Sequence, residues 1–294
     1  MNQLQGLYSA VLTPFDAQDN VNGAAMRALI ERNIAEGVDG LFVGGSSAEC
    51  FLLSEAERIH TFEIAAEFAG RTGLIAHCGA LSTAGAIRYA KAAKALGIPY
   101  IAATPPFYYS YGPPALARYY YELSEAVGMP VMIYNFPENT GRRFDLFDPV
   151  IRELFRSDAV FGIKHTDPDI YQMERIRSLD DSLVIMNGYE NNMLAGLAAG
   201  AHGNIGSTFN VLAPQFRKIY DLYRAGDHPE ALRRQVEANH VMEVMFRFGL
   251  VPTTKYILST MGIDPGRPRS PFAPLDEEAR RQVDRALAEH LLRE

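Results

Sequence analysis

The chain has 294 residues, of which 48% are hydrophobic and 21% are charged, and it carries a net charge of −7 at pH 7 with a pI near 5.6. This composition is typical of a soluble globular enzyme, and without a prominent basic run it disfavours nucleic acids and anionic membranes as partners. The N-terminus lacks the charged and apolar regions of a signal peptide, and no apolar stretch reaches transmembrane length, so we expect a cytoplasmic protein.

Short apolar runs alternate with helical patterns along the first three quarters of the chain. A run beginning at Leu7 is rich in strand formers, and the helical pattern after it, from Met26 to Ile34, ends at Gly37. The segment Ser54–Glu57 has the form of a capping box and predicts a helix start. The apolar runs lie near residues 7–13, 40–43, 73–78, 100–104, 130–135, 159–163, 183–187 and 203–206. Further helical patterns lie near residues 82–97, 119–127, 148–155, 171–178 and 191–200.

Eight strands that alternate with helices predict an α/β fold, a (β/α)8 TIM barrel over residues 1–224. The runs are almost continuously apolar, as expected for parallel strands that are covered on both faces. An open doubly wound sheet is the alternative, but no G-x-G-x-x-G motif follows the first strand.

Residues 225–294 show helical patterns without strands, which predicts a C-terminal helical extension packed on the barrel. We expect helices from Glu230 to Phe248, from Pro252 onward, and from Glu277 to Arg293. The side chains expected to face inward from the first of these helices are Leu232, Val236, Val241, Val244 and Met245.

Lys164 directly follows the sixth apolar run, at the end of the strand that this run predicts. An ammonium group at the end of a buried strand is costly to desolvate, and such a lysine loses its proton more easily and becomes a nucleophile toward carbonyl groups. We therefore interpret Lys164 as a residue that forms a Schiff base with a 2-oxo acid. Because a lone lysine after a strand is more often a surface residue, this hypothesis needs support from the other strand ends.

Polar groups follow several other strands, at the barrel end where catalytic groups of this fold collect. Tyr134 ends strand five and is a phenol suited to proton transfer, although the default role of such a tyrosine is packing. The glycine–serine segment 44–47 is most often a plain turn, but its amides and hydroxyls can also hold an anion. The remaining groups are Thr166 after strand six, Gly188, Tyr189, Glu190 and Asn191 after strand seven, and Ser207 after strand eight.

Several other kinds of site are disfavoured. The seven histidines show no metal-ligand spacing, and the sequence contains neither a G-x-S-x-G elbow nor a Walker loop. Cys50 and Cys78 lie in apolar surroundings and are interpreted as reduced packing residues. Six tyrosines between positions 108 and 121 form an aromatic cluster, which we interpret as core or subunit contact.

Three segments resemble the superfamily of N-acetylneuraminate lyases and dihydrodipicolinate synthases. Residues 44–49 (GGSSAE) resemble its G-x-x-G-E-type loop after strand two, residues 134–137 (YNFP) its Y-N-x-P segment, and residues 162–164 (GIK) its G-x-K lysine segment. Their order and spacing match over nearly the whole chain, from Thr13 to Phe272. The segments 171–177, 187–190 and 206–210 are similar to the lyase branch.

The resemblance disfavours the synthase branch and predicts an altered aldehyde side. Synthases usually carry a carboxylate-binding arginine two residues after the proline of Y-N-x-P, and Asn139 stands there in this chain. The lyase loop usually reads G-S-T-G-E, where this chain has Ser47 and Ala48, and the lyase acid pair after strand seven is here Glu190 and Asn191. An amide both donates and accepts hydrogen bonds, unlike the carboxylate it replaces.

The resemblance implies a class I, Schiff-base, pyruvate-dependent aldolase or lyase that cleaves a 4-hydroxy-2-oxo acid, with N-acetylneuraminate as the first expected substrate. Lys164 would form the imine, Tyr134 would transfer the C4 hydroxyl proton with Ser47, and Ser46 and Ser47 would hold the carboxylate. The residues that would line the aldehyde side are Thr166, Gly188, Glu190, Asn191 and Ser207. Tyr108 would be a further catalytic residue that reaches across a subunit boundary in a homotetramer, and no metal or organic cofactor is expected.

Three alternatives stay open at this point. The first is an aldolase or dehydratase for another 2-keto-3-deoxy sugar acid or 4-hydroxy-2-oxo acid, which Asn191 favours. The second is dihydrodipicolinate synthase. The third is an inactive homologue that binds a 2-oxo acid, which the presence of both Lys164 and Tyr134 disfavours.

Overall fold

The computed structural model describes residues 4–291, in which eight strands form a closed barrel in the order β1 to β8. The strands are β1 (Gly6–Ala10), β2 (Gly40–Val43), β3 (Gly73–His77), β4 (Tyr100–Ala103), β5 (Val131–Asn135), β6 (Val160–His165), β7 (Val184–Asn187) and β8 (Gly203–Gly206). Neighbouring strands pair in parallel, and nearly every strand residue is buried, as the continuous apolar runs predicted. The predicted TIM barrel is therefore confirmed.

The sixth strand is longer than its apolar run. The predicted run ended at Ile163, whereas the ladder to β7 continues through Lys164 and His165, which pair with Met186 and Asn187. Lys164 thus lies within β6, one residue before the strand ends. A polar side chain does not end a parallel strand as long as its backbone groups stay in the ladder.

Helices separate the strands and continue beyond the last one. They are α1 (Gly23–Ala35), α2 (Glu55–Ala66), α3 (Thr83–Ala95), α4 (Pro113–Val127), α5 (Pro137–Thr140), α6 (Pro149–Arg156), α7 (Ile170–Arg177), α8 (Met193–Ala198), α9 (Phe209–Arg224), α10 (His228–Arg247), α11 (Leu250–Thr260) and α12 (Glu277–His290). The capping box predicted at Ser54 is present, since its hydroxyl accepts from the Glu57 amide and the Glu57 carboxylate accepts from the Ser54 amide.

Three helix predictions were wrong or incomplete. Helix α4 begins at Pro113 rather than near Tyr119, because Gly112 caps it and proline is favoured in a first helical turn. The short α5 and the helix α9 that follows β8 were not predicted. Pro214 and the non-helical backbone of Leu212 interrupt the periodicity of α9, which hid it from the sequence pattern.

The inward face of α10 differs from the predicted one. Val241 and Met245 are buried as predicted, but Leu232 and Val236 are 58% and 46% exposed. The buried stripe instead comprises Ala231, Gln235, Ala238, Val241, Met242 and Met245. Ala231 and Ala238 are small enough to let neighbouring helices approach closely, and Val241, Met242 and Met245 supply the larger apolar groups of this face.

The described residues form two compact units. One contains residues 4–6 and Gly73–Ile205, with β3 to β7, and the other contains Leu7–Thr72 and residues 206–291, with β2 and the C-terminal helices. The predicted boundary near residue 225 stays a prediction, and the predicted end of α12 at Arg293 lies outside the described residues. Cys50 and Cys78 are buried free thiols, as predicted. Within residues 4–291, no helix has the length and apolar character needed to cross a membrane.

Candidate active site

Lys164 and Tyr134 are register partners on β6 and β5, so their side chains emerge side by side. The Nζ atom of Lys164 lies 4.0 Å from the centroid of the Tyr134 ring. Both residues are buried, with 4% and 3% of their surface exposed. The aromatic face attracts the ammonium electrostatically, and this attraction is stronger where water is excluded. The structure therefore brings the predicted amine and the predicted phenol together.

The Tyr134 ring is held by two further rings. Phe136 stacks on it at a centroid distance of 5.9 Å, and His77 meets it edge-on at 5.5 Å. His77 is fixed in turn, because its Nε2 accepts a hydrogen bond from the Thr104 amide at 3.2 Å. A Cβ at Gly79 would lie 2.7 Å from that same nitrogen, so this position has room only for glycine.

His165 follows Lys164 and is buried in a defined tautomer. The Asn135 side-chain amide lies 3.2 Å from Nδ1, and the Asp169 carbonyl lies 3.1 Å from Nε2. Because an amide nitrogen donates and a carbonyl accepts, Nδ1 accepts while Nε2 carries the proton. Burial lowers the pKa of His165, so the ring stays neutral at pH 7 and adds no positive charge beside Lys164.

Thr166 and Gly188 form a tight contact on the next two strand ends. The Thr166 hydroxyl is buried and has no hydrogen-bond partner in the described part of the chain. A Cβ on Gly188 would lie 1.8 Å from that hydroxyl oxygen. Gly188 thus leaves the space that Thr166 occupies, and a bound ligand could satisfy the buried hydroxyl.

Two asparagines hold the turn after β7. The side-chain amides of Asn187 and Asn204 both donate to the Tyr189 carbonyl, at 2.8 and 3.2 Å. Asn187 also accepts from the Tyr189 amide at 3.2 Å. The turn carries Glu190, which is buried, and Asn191, which is exposed. The two predicted tail-binding residues therefore stand on a fixed backbone.

The sequence pattern missed two polar pairs close to this turn. The Tyr189 hydroxyl donates to the Glu138 carboxylate at 2.6 Å, and burial together with Glu138 raises the pKa of Tyr189 well above its usual value. Arg143 pairs with the buried Asp167 at 3.0 Å. Glu138 precedes Asn139, and Asp167 follows Thr166, so proximity in sequence to predicted site residues was the available signal.

Ser46 and Ser47 belong to the other compact unit, in a 3₁₀ turn that follows β2 and spans Ser46–Ala48. The hydroxyl of Ser47 makes a short hydrogen bond with that of Ser207, which follows β8. The Thr13 hydroxyl donates to the Ala48 carbonyl at 2.8 Å and holds the turn from the barrel side. The structure thus brings together two predicted residues that are 160 positions apart in sequence.

Tyr108 is a surface residue, and 74% of it is exposed. Its ring meets that of Tyr109 edge-on at a centroid distance of 5.1 Å. Arg142 supports this segment by donating to the Phe107 carbonyl at 3.3 Å. The predicted part of Tyr108 in catalysis stays a prediction.

The chain is similar to known proteins over its full length. The profile of the dihydrodipicolinate synthetase family matches residues 3–290. An N-acetylneuraminate lyase of Rhizobium meliloti (strain 1021) is 40% identical over 276 residues, which cover 94% of this chain and 91% of the relative. An N-acetylneuraminate lyase of Salmonella typhimurium (strain LT2) is 38% identical over 294 residues, which cover 99% of this chain and 98% of that protein.

Solved structures agree with this similarity. The Clostridium difficile protein CdNal, crystallised in complex with mannosamine, has a TM-score of 0.94 at 33% identity and covers 99% of this chain and 100% of its own. N-acetylneuraminate lyase from Fusobacterium nucleatum complexed with pyruvate has a TM-score of 0.91 at 30% identity, covering 98% of this chain and 97% of its own.

Proposed function

The chain belongs to the dihydrodipicolinate synthetase family, and from this premise we propose that it is an N-acetylneuraminate lyase. It cleaves N-acetylneuraminate to pyruvate and N-acetylmannosamine through an imine on Lys164. The observation that carries the proposal is the buried pair of Lys164 and Tyr134, with 4.0 Å between the ammonium and the ring centroid. An amine nucleophile beside a proton-transfer group is what imine chemistry on a 2-oxo acid requires.

The reaction begins when the Lys164 ammonium transfers a proton to the C2 ketone oxygen of the open-chain substrate and its nitrogen adds to C2. A second N–H proton leaves with that oxygen as water, and the protonated imine that forms withdraws electrons from C3. Tyr134 accepts the proton of the C4 hydroxyl while it passes its own hydroxyl proton to the substrate carboxylate. The C3–C4 bond breaks, its electron pair forms the enamine, and C4 leaves as the aldehyde N-acetylmannosamine. Tyr134 returns the proton to C3, and addition of water to the imine releases pyruvate and restores the Lys164 ammonium.

The pyruvate carboxylate binds to the turn after β2. We assign it to the amides and hydroxyls of Ser46 and Ser47, and this assignment is supported by the hydrogen bond that orients the Ser47 hydroxyl toward Ser207. Backbone amides at such a turn bind anions without needing a lysine or arginine. Ser47 also relays the proton between the C4 hydroxyl and Tyr134.

The sugar tail binds to the residues after β6 and β7. Thr166 contributes a buried hydroxyl, Gly188 leaves the space for it, and Glu190 contributes a buried carboxylate. A polyol offers hydroxyl groups that can donate to a carboxylate and accept from a threonine. Asn191 and Ser207 complete the aldehyde side.

A second candidate function rests on Asn191. Its exposed amide stands where the lyase branch usually has a carboxylate, so the enzyme could prefer the aldehyde of another 2-keto-3-deoxy sugar acid, or dehydrate such an acid through the same imine. Dihydrodipicolinate synthesis is disfavoured, since Asn139 stands in place of an arginine that would bind a second substrate carboxylate.

We further propose that the enzyme is a homotetramer in which Tyr108 reaches a neighbouring subunit. Exposed aromatic side chains support subunit contacts, because large apolar groups on a monomer surface are unfavourable in water. Tyr108, Tyr109 and Phe147 are 74%, 65% and 90% exposed in the single chain. Light scattering coupled to gel filtration tests the tetramer, and a monomer at enzyme concentrations used in assays would contradict it.

Borohydride trapping tests the imine. The protein is incubated with pyruvate, reduced and weighed, and we expect the mass of one reduced pyruvate on Lys164 after peptide mapping. Lys164→Met should give no adduct, whereas the matched surface variant Lys218→Met should trap normally. An unmodified Lys164 in the wild-type protein would contradict both the lyase and every other imine-forming enzyme of this family, and would favour an inactive 2-oxo-acid-binding homologue.

A substrate panel tests the aldehyde. Turnover is compared for N-acetylneuraminate, for 2-keto-3-deoxygluconate, and for pyruvate with aspartate semialdehyde. The proposal expects the highest kcat/KM for N-acetylneuraminate. Faster turnover of 2-keto-3-deoxygluconate, with trapping intact, would replace the lyase by the second candidate function.

A further inference from the structure

The 3₁₀ turn Ser46–Ala48, which we call the serine turn, ends at Glu49, and Glu49 has an unusual backbone conformation. Its backbone is left-handed, with a φ of 57°, and its amide closes the turn by donating to the Ser46 carbonyl at 3.0 Å. The side chain is completely buried. A carboxylate thus lies buried two residues after Ser47, in the turn that the proposed function assigns to the substrate carboxylate. Two negative charges near each other in a buried site repel strongly.

Lys255 of α11 neutralises this carboxylate. Its Nζ lies 2.7 Å from Oε1 of Glu49, and 2% of its side chain is exposed. The backbone amide of Arg269 donates to the other carboxylate oxygen at 2.7 Å. Residues of the C-terminal segment therefore contact Glu49, at the end of the serine turn, through an ion pair and a hydrogen bond.

The ammonium of Lys255 is held in place by other groups as well. It donates to the Arg267 carbonyl at 3.2 Å and lies 4.2 Å from the centroid of the Phe15 ring. The Arg269 guanidinium also lies over that ring, at 4.3 Å. If Lys255 moved away from Glu49, its ammonium would lose the Arg267 carbonyl and the Phe15 ring as well, so these contacts favour the position beside Glu49.

Stability alone is a poor explanation for this pair. The desolvation of two buried charges offsets most of their attraction, and an apolar pair of the same size is often equally stable. The consequence of the pair is local, because Lys255 neutralises the buried Glu49 carboxylate two residues after Ser47.

We infer that Lys255 is a positioning residue for the substrate carboxylate, acting through Glu49 by cancelling its charge at the serine turn. The inference rests on the proposed function, since it presumes that the turn receives a carboxylate. If the inference holds, a residue of the C-terminal extension contributes to substrate binding without contacting the substrate.

The test compares two substitutions that break the same ion pair from opposite sides. Lys255→Met leaves an unpaired carboxylate, so the half-saturating pyruvate concentration in borohydride trapping and KM in cleavage should rise about tenfold or more, with kcat changed much less. Glu49→Gln keeps an acceptor for the Arg269 amide and leaves a positive charge, so the half-saturating concentration should stay equal or fall. The double variant should return to within about threefold of wild type.

A matched control breaks an ion pair in the same compact unit that ends away from the turn. Arg217 pairs with Asp39 at 2.8 Å, and Asp39 precedes β2 whereas the serine turn follows it. Arg217→Met should leave the half-saturating pyruvate concentration unchanged. Thermal unfolding of all variants separates losses of stability from losses of binding.

The two single variants should differ in the direction in which the half-saturating pyruvate concentration changes, and this difference decides the result. A purely structural pair would weaken pyruvate binding in both single variants, and a raised half-saturating concentration in folded Glu49→Gln would overturn the inference even if Lys255→Met failed to fold. Equal binding in wild type and folded Lys255→Met would overturn it as well. If wild type itself traps no pyruvate, the proposed function fails instead, which is a different outcome.

Discussion

The ammonium of Lys164 lies 4.0 Å from the centroid of the Tyr134 ring, and the two residues are paired across β6 and β5. The ring and the hydroxyl of Tyr134 therefore have different roles that a substitution can separate. The ring packs against Lys164, His77 and Phe136, while the hydroxyl is the group that can transfer a proton.

Tyr134→Phe separates these two parts. The substitution keeps the ring and its contacts, so Lys164 should still form a trappable imine with pyruvate. Without the hydroxyl, kcat for cleavage should fall about 10²–10⁴-fold, the usual contribution of a general acid or base. Steady-state kinetics and borohydride trapping measure both effects, and an unchanged kcat would remove Tyr134 from the proton transfer.

Much of the fold followed from local patterns. The eight apolar runs predicted the barrel, and the capping box at Ser54 predicted a helix start correctly, because both signals depend on neighbours within a few residues. The pairing of Lys164 with Tyr134 also followed, since consecutive parallel strands place their carboxyl ends together.

Contacts between distant segments did not follow from such patterns. Ser47 and Ser207 were expected at the same end of the barrel, but the hydrogen bond between them was not predicted. The Glu49–Lys255 ion pair was not predicted either. Both depend on how turns are oriented after the strands close into a barrel. Leu232 and Val236 were predicted inward from apolar character alone, whereas Ala231, Gln235 and Ala238 occupy that part of the buried face of α10.

Gly188→Ala tests the tail side of the site. The new methyl would lie 1.8 Å from the Thr166 hydroxyl oxygen and 2.8 Å from its Cβ, so Thr166 must move. We expect KM for N-acetylneuraminate to rise about tenfold, in line with an overpacking cost of about 1–3 kcal/mol, while pyruvate trapping stays near wild type.

Gly112→Ala is the matched control for that substitution. Gly112 caps α4 with an ordinary backbone φ of −80°, and an added methyl there would lie 3.9 Å from Pro114, at ordinary van der Waals distance. Its kinetics should be unchanged. If Gly188→Ala weakened pyruvate trapping and cleavage equally, the Thr166 contact would belong to the imine side of the site rather than to the tail side.

The ion pair between Glu57 and Arg269 should stabilise the fold less at acid pH than at neutral pH. The Arg269 guanidinium, aided by the Ser54 amide, lowers the pKa of Glu57 from 4.5 to about 2. Because the folded pKa lies below the unfolded one, this stabilisation is complete above about pH 4.5 and is lost as the pH falls toward 2. Because Glu57 is partly exposed to solvent, this contribution is on the order of 1 kcal/mol. Urea unfolding between pH 3 and 6 should show a shallower pH dependence for Glu57→Gln than for wild type, and parallel curves would contradict the assignment.

Asn191→Glu tests which aldehyde the site accepts. Asn191 is exposed on a turn whose backbone is held by Asn187 and Asn204, so a longer side chain can be accommodated without moving Glu190. A carboxylate accepts hydrogen bonds from sugar hydroxyls and donates none, and a well-formed bond to a charged group contributes about 1.5–3 kcal/mol. We therefore expect kcat/KM for N-acetylneuraminate to rise about tenfold, with pyruvate trapping unchanged.

Asn191→Gln supplies the matched comparison, since it has the length of glutamate without the charge. A gain with glutamate alone would mean that the tail pocket is a lyase pocket weakened by one missing charge. A gain with both substitutions would assign the effect to length, because the amide reaches as far as the carboxylate. If neither substitution raises kcat/KM for N-acetylneuraminate, and wild type turns over 2-keto-3-deoxygluconate faster, Asn191 is suited to a different aldehyde. Replacing a polar side chain that is matched to its native substrate weakens binding of that substrate.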